Sequence, residues 1–180
     1  PKTASNGRAI IGSPSGFSGP LPPEHFNMAA YVIGRAASTV PGKIALIVYD
    51  NAEAAVPSET WTFAQIERAV LRIAHGLRER GLKKGDRLLI RLDNTSTYAL
   101  MFFGAIAAGL VPLATSVHLT PDEARFLATD SNARAVALAE HLVGAATAEC
   151  NAGIDIIKAD DVAAMLCGPE ASGYADTNAN

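Results

Sequence analysis

The stretch from Gly85 to Glu123, GDRLLIRLDNTSTYALMFFGAIAAGLVPLATSVHLTPDE, constrains the fold more than any other part of the chain. Arg87 to Leu92 is a compact apolar run broken by two arginines, and its length predicts a strand. Asp93 and Asn94 follow with turn chemistry, because both side chains can bond their own backbone. Ser96 to Ala108 is apolar at nearly every position, which predicts a helix buried on more than one side. Gly109 is placed to end that helix in the left-handed conformation that glycine adopts cheaply. Val111 to Ala114 resumes a short strand. Two strands joined by a helix of this length predict a right-handed βαβ unit, the building block of a parallel sheet.

The flanking segments extend the same alternation. Asn27 can cap a helix with Tyr31, Ile33, Ala36 and Ala37 on its apolar side, ended by Pro41 and Gly42. Ile44 to Tyr49 reads as a strand, closed by the Asp50-Asn51 turn, with Glu59 to Phe63 as its antiparallel partner. Thr62 and Gln65 form a capping box before Ile66, Val70, Ile73 and Leu77, so an amphipathic helix is expected over 63–80 and ends at Gly81. Thr120, Pro121 and Glu123 supply a second box, with proline at the first helical position and a helix to about Thr129. A strand over Ala133 to Ala139, a short helix over His141 to Ala148, a strand over Ile154 to Ile157 and a short helix over Val162 to Leu166 complete the pattern. The expected fold class is α/β, a mostly parallel sheet flanked by helices in a Rossmann-like layered arrangement. Residues 1–25, rich in Gly, Ser and Pro, read as a flexible arm; 26–168 as the structured unit; 169–180 as a polar tail without a core pattern.

With 180 residues, half of them apolar, the chain can bury a real core. A net charge of −3 gives no electrostatic reason to expect nucleic acid or an anionic membrane as partner. The basic cluster Arg78, Arg80, Lys83 and Lys84 reads as a solvated helix end that complements the helix dipole. Cys150 and Cys167 are too few and too far apart for a disulfide framework or zinc site, and read as reduced thiols in a cytoplasmic protein. No apolar run approaches the ~20 residues that span a bilayer. No signal peptide is visible. A start at Pro1 implies processing or trimming.

On a parallel sheet ligands bind at the carboxyl ends of strands. Here those ends fall near Asp93, near Thr115 to His118 and near Glu140. No catalytic set assembles from the sequence alone. His25, His75, His118 and His141 are widely separated, and none has a metal partner four residues on. His75 lies within the amphipathic helix and reads as a surface or half-buried side chain. The N-terminal glycines are followed by no Lys-Ser or Lys-Thr, so a phosphate loop of that type is excluded; G-x-S-x-G and G-x-G-x-x-G are absent too.

Five blocks in order carry a resemblance. Thr62-Phe63-Ala64-Gln65-Ile66 with its helix and Gly81-Leu82, Gly85-Asp86-Arg87-Leu88-Leu89-Ile90 through Asn94, and Phe103-Gly104-Ala105-Ile106-Ala107-Ala108-Gly109-Leu110-Val111-Pro112 resemble blocks of the adenylate-forming (AMP-binding) enzymes. Thr120 to Ala124 and Asp130-Ser131-Asn132-Ala133-Arg134 continue in register. Phe26-Asn27-Met28-Ala29 and GLVPLATSVHLTP look most like the benzoate–CoA ligase branch of the acyl- and aryl-CoA synthetases. The resemblance implies an enzyme that joins a carboxylic acid to ATP and passes the acyl group from the adenylate to CoA. It implies ATP, CoA and Mg²⁺ as cofactors of the full-length parent and none for this piece. The family's Pro-Lys phosphate loop and its late lysine have no counterpart here, because the only Pro-Lys is Pro1-Lys2. The chain is therefore expected to be an inactive N-terminal subdomain whose partners are the rest of the synthetase chain and the acid, with self-association through its exposed apolar surface. Peptide-synthetase and luciferase-type adenylation domains share these blocks and are the alternative within the superfamily; a non-catalytic interaction module on the same fold is the alternative outside it. His118 stands where some relatives carry a basic residue that contacts CoA phosphates, and is the one candidate site residue; no catalytic or metal residue is assigned.

Overall fold

The computed structural model describes residues 23–144 and 153–177. The first helix begins as expected at Asn27, whose Oδ1 accepts from the amides of Ala29 (3.0 Å) and Ala30 (3.3 Å). A π-helical turn, Ala30–Gly34, then runs into the short helix α1 (Arg35–Thr39). Strands β1 (Ile44–Val48) and β2 (Glu59–Thr62) form an antiparallel ribbon. Glu59 anchors the ribbon: its Oε2 accepts from Trp61 Nε1 and from the hydroxyl of Ser96, both at 2.7 Å.

Thr62 starts α2 (Phe63–Glu79) through the reciprocal box with Gln65. Its apolar stripe is the expected one, and Val70, Ile73, Ala74 and Leu77 are fully enclosed. Strand β3 (Arg87–Arg91), helix α3 (Ser96–Ala108) and strand β4 (Val111–Ala114) make the central unit, with β3 and β4 parallel. Gly109 ends α3 at φ +86°, and its carbonyl accepts from the amide of Gly85 at 2.9 Å, so the two turns that bracket the unit are tied together. No residue of α3 is exposed, in keeping with its unbroken apolar character.

Beyond β4 the second capping box starts α4 (Pro121–Asp130), followed by β5 (Ala135–Leu138), β6 (Asp155–Ile157) and α5 (Ala159–Cys167). Helix α5 is longer than its apolar core predicted, because Asp161 accepts the Lys158 amide at 2.8 Å and adds a turn. Glu140–Leu142 forms only a 3₁₀ turn where a helix was expected over His141 to Ala148, and residues 145–148 of that expectation lie outside the described residues. Residues 1–22 of the expected arm and Cys150 do so too.

The sheet order is β4-β3-β5-β6, all parallel. Leu88 and Ile90 of β3 face α2, α3 and α5, whereas Leu89 faces the opposite side with Val136, Leu138 and Ala128 of α4. The layers are thus three helices, the sheet, and α4. In β4 the amides of Val111 and Thr115 donate to Asp86 and Ile90 of the β3 segment, so the alternate residue Pro112 is turned away from β3.

Two expectations are corrected. The segment after Gly168 does contribute to the core. Ala171 is buried, its amide donates to Leu71 O at 3.1 Å, and Ala175 N donates to Ala107 O at 2.7 Å. The Tyr174 hydroxyl donates to Glu67 Oε1 at 3.1 Å, and burial first and then the Glu67 carboxylate push that phenol's pKa up. Small and polar side chains hid this packing, since many of its bonds are made by the backbone. The basic cluster is likewise only partly a solvated helix end. Arg78 Nη2 donates to Ala107 O at 3.0 Å, and Arg80 pairs with Asp155 (2.6 Å) and Asp161 (2.9 Å) and donates to Ile156 O. The hydrogen bond to Asp155 is the main cause holding the Arg80 pKa above its ordinary value, against the opposing effect of burial.

Candidate functional site

From β3 the chain passes through α3 to β4 on one side, then returns through α4 on the other face to β5 on the opposite side of β3. Such a reversal opens a crevice at the carboxyl ends of the two strands that flank it, here β3 and β5. The crevice is bridged at its floor by Ala139 N donating to Arg91 O at 2.8 Å. At its rim His141 Nδ1 lies 3.7 Å from Asp93 Oδ2, both side chains more than half exposed. The three strand ends marked in the sequence therefore do meet at one edge.

The neighbouring loop, 115–119, is held by its own chain. Thr115 donates to Ile90 O through its amide (3.0 Å) and its hydroxyl (2.8 Å). Ser116 Oγ accepts the His118 amide at 3.1 Å. Beneath the loop, Arg91 donates from Nη2 to Leu119 O at 2.8 Å. Helix α4 leaves this loop with Glu123 in its cap, where the Thr120 amide and then its hydroxyl hold the carboxyl below its ordinary pKa of 4.5.

His118 is exposed on this loop, beside the crevice. The other three histidines are not gathered with it. His25 pairs with Asp176 at 3.1 Å, and His75 is half-buried on α2; only His141 shares the sheet edge. Among the described residues no group of three or more His, Cys, Asp or Glu could hold a metal ion. No helix among them is long and apolar enough to cross a membrane.

A family model described as AMP-binding enzyme matches residues 33–178. The chain belongs to this family. It is 31% identical over 117 residues to a 4-hydroxybenzoate–CoA/benzoate–CoA ligase of Rhodopseudomonas palustris, a match that covers 64% of this chain and 20% of that protein. It is 31% identical over 122 residues to a benzoate–CoA ligase of Thauera aromatica, covering 67% of this chain and 22% of the relative. A crystal structure of a benzoate CoA ligase from Burkholderia xenovorans LB400 superposes with a TM-score of 0.71 at 26% identity, over 85% of this chain and 31% of that one. The chain thus spans about a fifth of the length of these curated AMP-binding relatives.

Within the family frame, several motif residues have structural work. Asp86 accepts the Lys83 amide at 2.8 Å and closes the turn before β3. Gly104 lets α3 approach α2, since a Cβ there would lie 2.4 Å from Ile73 Cγ2. Sequence reasoning missed Arg91 as a buried residue and Asn27 as a tie. Asn27 Nδ2 donates to Ile106 O (2.8 Å) and Ala175 O (2.9 Å), joining α3 to the C-terminal segment. A charged residue inside the apolar run of β3 was the available signal for Arg91.

Proposed function

We propose that this chain is the N-terminal subdomain of an acid–CoA ligase that activates an aromatic carboxylic acid as its adenylate and transfers the acyl group to CoA. The observation that carries the reading is the family match over 33–178, together with relatives that are named as benzoate and hydroxybenzoate CoA ligases. The division into an arm (1–25), a folded unit (26–168) and a C-terminal tail (169–180) belongs to the same proposal, with the tail packed back on the unit.

In this reading ATP, Mg²⁺ and CoA act on the complete enzyme, where ATP supplies the adenylyl group. Transition-state charge in that step needs donors and cations aimed at the phosphates. Among the described residues no group of three or more His, Cys, Asp or Glu could hold a metal ion, and this reading proposes no Mg²⁺ ligand there. Their contribution is a rigid sheet edge, and His118 on the held loop offers an N–H donor to a CoA phosphate at its rim. Adenylation by the 180 residues alone is not expected.

The test is acid-dependent ATP–pyrophosphate exchange and thioester formation by the complete ligase across aromatic and aliphatic acids, with the 180-residue chain alongside. Aromatic preference in the complete enzyme and background exchange by the short chain are expected; exchange by the short chain, or no thioester from any acid, overturns the reading. In the complete enzyme His118→Ala raises the KM for CoA and leaves exchange unchanged. An unaltered KM removes His118 from the CoA site.

A further inference from the structure

Arg91 is the one feature of the crevice that neither the fold nor the proposed reaction accounts for. It sits at the end of the central strand β3, is only 4% exposed, and its side chain points to the same face as Leu89. Its Nη2 bonds Leu119 O, its Nε is sealed from solvent with no partner, and Nη1 bonds no protein atom among the described residues. No carboxylate among them pairs with it. Among the part-buried arginines, Arg80 has Asp155 and Asp161 and Arg72 has Glu170 at 3.4 Å, whereas Arg78, more exposed than Arg91, is held by Ala107 O. An enclosed cation without a counter-charge is costly, and buried charges are ordinarily held against an anion.

We infer that Arg91 is the cationic half of a seat for a small oxyanion, a phosphoryl or carboxylate group, in the crevice between the carboxyl ends of β3 and β5. The guanidinium is the side chain best matched to such oxyanions. The crevice is where a sheet of this topology receives ligands. The loop above it carries the Ser116 hydroxyl and the His118 imidazole as further donors, while its backbone is fixed by Thr115 and by Arg91 itself. The seat stands whichever acid the enzyme activates, because the argument rests on the unpaired charge and the topology.

The experiment is thermal unfolding of the 180-residue chain in inorganic phosphate, in acetate and in chloride at matched ionic strength. Phosphate at ten times its dissociation constant multiplies the folded-to-unfolded ratio about elevenfold, so the midpoint rises in phosphate over chloride. The acetate arm tells whether a carboxylate serves as well as a phosphoryl group. Arg91→Met abolishes the anion-specific rise, and Arg91→Lys keeps part of it. Glu149, the only acidic side chain outside the described residues, is controlled by Glu149→Gln, which keeps the full response. Should Arg91→Met not fold, the Arg91 Nε–H resonance of the unmodified chain is titrated with phosphate and moves. A midpoint indifferent to both anions, an unchanged response in Arg91→Met, loss of the response in Glu149→Gln, or a static Nε–H resonance each overturns the inference.

Discussion

Replacing Gly104 by alanine tests how α2 and α3 are held together. The new methyl would lie 2.4 Å from Cγ2 and 2.8 Å from Cβ of Ile73, a side chain with no exposed surface. Ordinary carbon contacts begin near 3.5 Å, so one helix must retreat by about 1 Å. Overpacking of this kind costs about 1–3 kcal/mol, and at this overlap the upper end applies. Alanine returns about 1 kcal/mol through its helix propensity. The net is a loss of about 2 kcal/mol, or a midpoint lower by roughly 4–8 °C for a chain of this size. Urea unfolding followed by circular dichroism measures it, with Gly42→Ala, which meets nothing within 4 Å, as the control. A double-mutant cycle isolates the clash: Ile73→Ala alone costs about 2–5 kcal/mol as a cavity, and the pair should cost at least 1 kcal/mol less than the sum. If Gly104→Ala is as stable as the unmodified chain, or if the cycle is additive, the close-approach argument is wrong.

Asn27→Ala removes a helix cap and leaves two carbonyls without their donor, which together cost about 2–4 kcal/mol; because Ala175 O is one of them, proteolysis after Gly168 should also accelerate. Asn27→Asp keeps the cap and loses the donors, so it should fall between the two, and an Asn27→Ala chain of unaltered stability would remove the tie. The Asp161 carboxyl is held below its ordinary pKa of 3.8, first by the Lys158 amide and also by Arg80, although desolvation opposes this. A depressed folded pKa contributes stability that is complete above 3.8 and is lost as the pH falls through the folded value. The urea midpoint should therefore drop below about pH 4, with a shallower drop in Asp161→Asn; parallel pH profiles for the two chains would exclude the contribution.

Much of the fold was readable because local signals agreed. Both capping boxes, the apolar stripe of α2, the glycine after α3 and the strand–helix alternation point to one arrangement, and the structure has it. What escaped reading depends on distant partners. Arg80 looks like a solvated helix end until Asp155 and Asp161, more than 70 residues later, are brought beside it. Asn27 reads as a simple cap, since nothing local announces that its amide reaches Ile106 and Ala175. The segment after Gly168 has no periodicity because it is held by backbone bonds and by the side chains of Glu170, Tyr174, Asp176 and Thr177, each reaching a distant partner. Of the site, the three strand ends were placed from sequence, whereas the choice of the β3–β5 gap required the strand order. That order is set by which face α4 covers, information spread over the whole sheet.

Pro112 and Arg80 together decide what the sheet can do in the company of other chains. A fifth strand laid against β4 would need the outward amide at position 112, and proline has none. A strand laid against β6 would need the outward carbonyl of Ile156, and Arg80 already holds it at 3.1 Å. Both margins of the four-stranded sheet are thus closed to edge-to-edge recruitment. Substituting one of the two residues should open one margin, enough for an edge-paired dimer, and only the double substitution frees both margins for open-ended polymerisation.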